Sequence, residues 1–285
     1  EFIGAEFETV IIREGSVIED IVRFDHASIS NGFVAQRVNF ERGISAQGAT
    51  FGSKNTMQGD SNQLKDIIGE DSHGDFLSVS SESMEHVLLC RADFGGDVSF
   101  DGADFTDDQH VSFAHANFGG DGDVSFVKTD FRNQGHLSFN MAEFDNQGEV
   151  AFDDANFQNR SVSFAVVDFE NHGDVSFEGG AFQNCNSVEF CDTDFTNPAG
   201  VFLNDVTIEN IDVLDFHGAG FTEDVKIDIT SKSDSIVSFD CVDFSEATLN
   251  FVSIPRVSFK SANLIGVDLS ELDLSRTNLE GAFLN

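Results

Sequence analysis

From residue 89 onward a large apolar residue returns at steps of five and eight: Leu89, Phe94, Phe100, Phe105, Phe113, Phe118, Phe126, Phe131, and so on to Phe195. Two places before most of them stands a small or aliphatic residue, as at Ala92, Val98, Ala103, Val111, Ala116 and Val124. From Phe239 to Leu284 the extra residues vanish and a large residue falls at every fifth position. Such a period suits neither an amphipathic helix at 3.6 residues nor a long strand at two. It fits a three-residue extended face, whose alternate side chains point the same way, followed by a turn that makes a corner. A coil built this way buries its apolar residues only when another coil stacks on it at ~4.8 Å, which is the logic of a solenoid. At roughly 1.5–3 kcal/mol per buried Phe, the stacked interior is the main stabilising term.

Composition agrees with that use of Phe. Among 285 residues there are 32 Phe and no Trp or Tyr, so the aromatic side chains bring no hydroxyl or indole N–H to a ligand. Acidic residues number 51 against 15 Lys plus Arg, for a formal charge of −36. That field repels nucleic-acid phosphates and anionic membrane surfaces, which excludes direct binding to either. Two explanations of the acidity stand side by side: solubility in the high-salt cytoplasm of a halophile, and a surface offered to a protein that ordinarily binds DNA. Cys90, Cys185, Cys191 and Cys241 match no zinc spacing and read as small packing residues. No apolar run is long enough to span a membrane and no signal peptide is visible. The chain opens at Glu1 and stops at Asn285 in mid-pattern, so both ends read as cut. The compartment stays open between a halophile cytoplasm and the cell surface.

The stretch "ANLIGVDLSELDLSRTNLEGAFL" resembles the pentapeptide-repeat family, whose unit is A-(D/N)-(L/F)-x-x, and the thirteen-residue units resemble its Phe-rich branch. The resemblance covers residues 89–284 and extends loosely over 1–51 through "GAEF", "HASI", "RVNF" and "GATF". It implies an all-β fold, a right-handed quadrilateral β-helix of about 20–26 residues per coil. In such a helix the large residue and the residue two before it point inward. The expected core therefore holds Phe100, Phe105, Phe113, Phe118, Phe126, Phe131, Phe139, Phe144, Phe152, Phe157, Phe239, Phe244, Leu264, Leu269, Leu274 and Leu279.

Four segments follow: N-terminal coils over 1–51, a protruding insertion over 52–88, Phe-rich coils over 89–238 and regular five-residue coils over 239–285. The insertion is long for a loop and is expected to hold a short helix at Asn62–Ile68. Departures from the pattern also occur at 204–215 and 230–236. In the Phe-rich part, two units form one coil of about 26 residues, with the extra residues bulging at opposite corners; thirteen per coil is the rival geometry. With 26, Asp97, Asp123, Glu149 and Asp174 line one edge, the candidate interaction edge, and His110, His136, Ser161 and Ser187 line the opposite one.

No catalytic signature is present: there is no G-x-S-x-G, phosphate loop, HExxH or paired CxxC. The expectation is a protein without catalysis, cofactor or resident metal, although stacked carboxylates would welcome salt or a hard cation such as Ca²⁺. A rod of roughly ten coils, about 50 Å long, suits a scaffold or protein-interaction module, its partner being another protein or another copy met through a terminal coil. The family resemblance also implies an alternative. Some pentapeptide-repeat proteins imitate duplex DNA and occupy the DNA-binding surface of DNA gyrase. Against that, the Asp residues here are expected at bulged corners rather than on flat faces.

Overall fold

The computed structural model describes residues 1–51, 86–105, 110–132, 135–195, 199–222, 224–254, 256–270 and 272–284. The helix expected at Asn62–Ile68, and the rest of the insertion through residue 85, lie outside the described residues. His86–Leu88, expected to belong to the insertion, is instead a strand of the stack, paired to Ser28–Val34 and His110–Ser112.

One turn of the chain shows how the repeat becomes a coil. His110–Ser112 forms a first face, Asn117–Gly120 a second and Val124–Ser125 a third, and Asp130 bridges its neighbours on a fourth. Each face pairs in parallel with the same face of the next layer, and every strand pairing among the described residues is parallel. Among the described residues, eleven strands follow one another along the first face, from Glu6–Ile11 to Thr277–Asn278.

Register decides the coil length. Val98 stands opposite Val124 and Val124 opposite Val150, and contacts between those layers are 26 residues apart. The thirteen-residue coil is thereby ruled out. Coils are shorter toward both ends: layer contacts are 22 residues apart near Arg42 and 20 apart near Lys260.

Four columns of Phe fill the centre, one column per face. Phe113, Phe139, Phe164 and Phe190 stack along the first face at 4.8 Å between successive ring centres. Phe100, Phe126, Phe152 and Phe177 rise along the third. Rings of these two columns meet edge to face, as Phe126 does Phe139 at 5.4 Å and 88°. Stacking within a column and T-shaped contact between columns are both favoured ring geometries. They arise here because a parallel in-register ladder repeats each side chain one layer spacing away.

The small residue of the repeat has its own reason. After Phe113 the chain makes a tight turn in which the Ala116 N–H donates to the Phe113 carbonyl at 3.0 Å, and His115 adopts φ 55°. Ala116 then points inward beside the next ring and is fully buried. Thr fills this place only where its hydroxyl finds a carbonyl: Thr129 donates to Phe100 O at 2.9 Å, and Thr193 to Phe164 O at 2.6 Å. Left-handed residues recur at the turn, including Lys128, Met141, Asp154 and Val166. Each costs roughly 1–2 kcal/mol, which the buried rings offset.

Two departures from the expected fold have physical causes. At Val201–Glu209, Asp224–Ser231 and Thr248–Ser253 the third and fourth faces run together as one long strand. The sequence there alternates, with Val225, Ile227 and Ile229 buried and Lys226 and Asp228 between them, so nothing imposes the corner. In the last coil, Leu264 is buried and Leu269 and Leu279 are half-buried, but Leu274, expected inside, is 54% exposed. It opens the short 3₁₀ turn Leu274–Arg276, which replaces an extended face and turns the side chain off the axis. All the other expected core positions, Phe100 through Phe157 with Phe239 and Phe244, are buried.

Candidate interaction faces

The expected acidic edge forms as a column. The Asp123 N–H donates to Asp97 Oδ1 at 3.3 Å and the Glu149 N–H to Asp123 Oδ1 at 3.0 Å, and Asp174 follows in register. These carboxylates thus serve as acceptors for the backbone of the next layer at a corner where the ladder alone does not reach.

The opposite edge carries His110, His136, Ser161 and Ser187 at one register position. The imidazoles of His110 and His136 stack at 5.1 Å and 8°. His136 Nδ1 contacts the Ser161 hydroxyl. No group of three or more His, Cys, Asp or Glu converges to hold a metal ion among the described residues.

A third column was not anticipated. On the second face Asp93, Asn117, Glu143, Asp168 and Asp194 are direct partners in successive layers. Carboxylates therefore do lie on a flat face, against the expectation that confined them to bulged corners. The sequence signal was the residue immediately before the second Phe of each unit. Alternation marks that residue as outward, but only the register brings Glu143, Asp168 and Asp194 into line. Burial, followed by Glu170, Asp194, Glu143 and Asp145, pushes the Asp168 carboxyl above its ordinary range. Burial and then Glu170 do the same to Asp194. A carboxyl whose folded pKa is raised contributes stability at low pH and loses it as pH rises through that pKa. Asp168→Asn is therefore expected to raise the urea midpoint at pH 8 and to leave it nearly unchanged at pH 4. Equal effects at the two pH values would contradict this.

On the third face a recurring rung ties layers together. The hydroxyl of Ser176 donates to Asp153 Oδ1 at 2.5 Å, and Ser45 with Asp25 and Ser125 with Asp101 repeat the pair; on the first face Ser258 donates to Asp240 Oδ1 at 2.5 Å in the same way. Beside one rung is a shallow depression of about 300 Å³ lined by Glu149, Asp153, Asp174, Glu178, Asn204 and the ring of Phe202.

The four cysteines are free. Cys185 is buried and packs as expected; Cys191, half-buried, has its thiol pushed up to about 12 by burial and the nearby Asp215. Cys241 is exposed rather than packed, because it holds the left-handed turn position at φ 62°. No described helix is long and apolar enough to cross a membrane.

Comparison with known families places the repeat. Residues 243–281 match the family model for pentapeptide repeats, in eight copies. The chain is an all-β parallel solenoid whose C-terminal coils carry pentapeptide repeats. No curated protein matches it. The matched segment is the one where nothing interrupts the five-residue step, whereas the Phe-rich coils of this solenoid insert residues at two corners of each turn.

Proposed function

We propose that this pentapeptide-repeat solenoid acts without catalysis, as a rigid scaffold or protein-interaction module with a strongly acidic surface. The observation that carries this reading is the unbroken stack. The stacked Phe columns fill the interior, and the repeated outward positions present carboxylates in straight columns. A regular column is suited to matching a partner along its length, and the charge selects basic protein surfaces. The test uses the full chain and a triple variant, Glu143→Gln, Asp168→Asn and Asp194→Asn. Partners held by the native chain are expected to be released by the variant while its circular dichroism is unchanged. Undiminished retention would overturn the role of the second face.

A second reading, mimicry of duplex DNA toward DNA gyrase, is favoured by one observation, the flat carboxylate column of the second face. Under it, the native chain inhibits or protects gyrase supercoiling. The inhibition weakens in the same triple variant and in Asp97→Asn, Asp123→Asn and Asp174→Asn combined. No effect of the native chain on supercoiling would end it.

A further inference from the structure

We propose that the edge carrying His110 and His136 is an acid-sensitive seam, in which protonation of an imidazole removes the acceptor that holds the backbone of the next layer. At the acidic corner, the N–H groups of Asp123 and Glu149 are accepted by the carboxylates of Asp97 and Asp123. At the facing corner the corresponding bond runs from the His136 N–H to His110 Nδ1, at 3.2 Å. A ring nitrogen can accept only while its lone pair is free, so His110 is neutral here with its proton on Nε2. The next proton goes to Nδ1 and sets donor against donor.

Neighbours on the adjoining layers work in the same direction. The parallel stack at 5.1 Å would put two cationic rings face to face. Arg160, just before the strand Ser161–Ser163, adds a third positive charge that acts on both rings. From that strand Ser161 offers only its hydroxyl to His136. Burial, then His136 and Arg160, already hold His110 below the ordinary histidine range; burial, then Arg160, does so for His136. With folded values depressed, the seam loses nothing above about pH 6.5, the ordinary histidine value. As pH falls further the opened state takes the proton first, and closure weakens down through the folded values.

The acidic corner supplies the internal control, because there the acceptors are carboxylates rather than imidazoles. Hydrogen-exchange protection factors, corrected for intrinsic rates, would be followed on the full chain between pH 7.5 and 5. The His136 amide is expected to lose roughly tenfold protection, the equivalent of one hydrogen bond, while the Asp123 and Glu149 amides hold theirs. His110→Asn, whose side-chain oxygen can accept at any of these pH values, is expected to abolish the pH dependence. Unchanged protection of the His136 amide in the native chain would overturn the proposal, whatever the variant does. So would a pH dependence that survives in His110→Asn.

Discussion

Replacing Phe152 with alanine is expected to destabilise the solenoid by about 3–5 kcal/mol. Phe152 is fully buried in the middle of the third-face column. Its ring stacks on Phe126 at 5.0 Å and Phe177 at 4.8 Å, and meets Phe139 and Phe164 edge-on at 5.5 and 5.3 Å. Removing it takes away the transfer energy of one ring, opens a cavity that the layers above and below cannot close, and ends these stacked and edge-on contacts, worth roughly 0.5–1.5 kcal/mol apiece. In a stack where each layer touches only its neighbours, the damage also weakens the coupling between the two halves, so the unfolding transition should broaden. Urea denaturation followed by far-UV circular dichroism reads both effects; with no Trp or Tyr, intrinsic fluorescence does not. Phe202→Ala is the comparison, since Phe202 points outward from the same face and is half-buried. It should cost no more than about 1 kcal/mol. Similar losses for the two variants would mean that the stacked columns do not hold the fold together.

The contrast between these two phenylalanines marks what could be read from the sequence. Phe152 obeys the five- and eight-residue steps, and a three-residue face with a turn leaves its side chain no direction but inward. Phe202 sits one place before Leu203, which takes the inward position in the long strand. There the side-chain period is two, and the pentapeptide rule no longer assigns faces. The same loss of the rule explains the joined faces at 224–231, where Val225, Ile227 and Ile229 alternate plainly but belong to a coil with fewer corners.

Register was the other limit. That Asp97, Asp123 and Glu149 would share an edge followed from the coil length alone. The column of Glu143, Asp168 and Asp194 depended on knowing that outward positions of short faces stack flush rather than staggered. Spacing within one chain gives each residue a face, whereas the hydrogen-bonded ladder gives it a neighbour. Leu274 shows the converse case. It keeps the period to the residue, yet the local 3₁₀ turn capped by Asp273, whose side chain accepts from the Ser275 N–H, takes it off the axis.

Backbone approach between layers is the least visible of these constraints, and Gly43 carries its largest expected consequence. Gly43 has φ 83°, and a Cβ added to it would lie 1.9 Å from the carbonyl oxygen of Asp97 in the next layer. That oxygen is already the acceptor for the Ile44 N–H at 3.0 Å, the bond that starts the third-face ladder between these coils. An alanine here must either break this bond or push the layers apart, and neither group can move as a flexible side chain could. Gly102 separates the two causes, because it has φ 62° and nothing lies within 4 Å of the place its Cβ would take. Gly102→Ala should therefore show only the left-handed strain, roughly 1–2 kcal/mol. Gly43→Ala should exceed it by about 1–3 kcal/mol, the cost of leaving the interlayer hydrogen bond unmade. Hydrogen exchange at Ile44 and Ala46, whose amides donate to Asp97 and Ser99, locates the damage. Their protection is expected to collapse in Gly43→Ala and to persist in Gly102→Ala. Equal stability losses in the two variants, with the Ile44 amide still protected, would show that the layers can separate at this corner without cost.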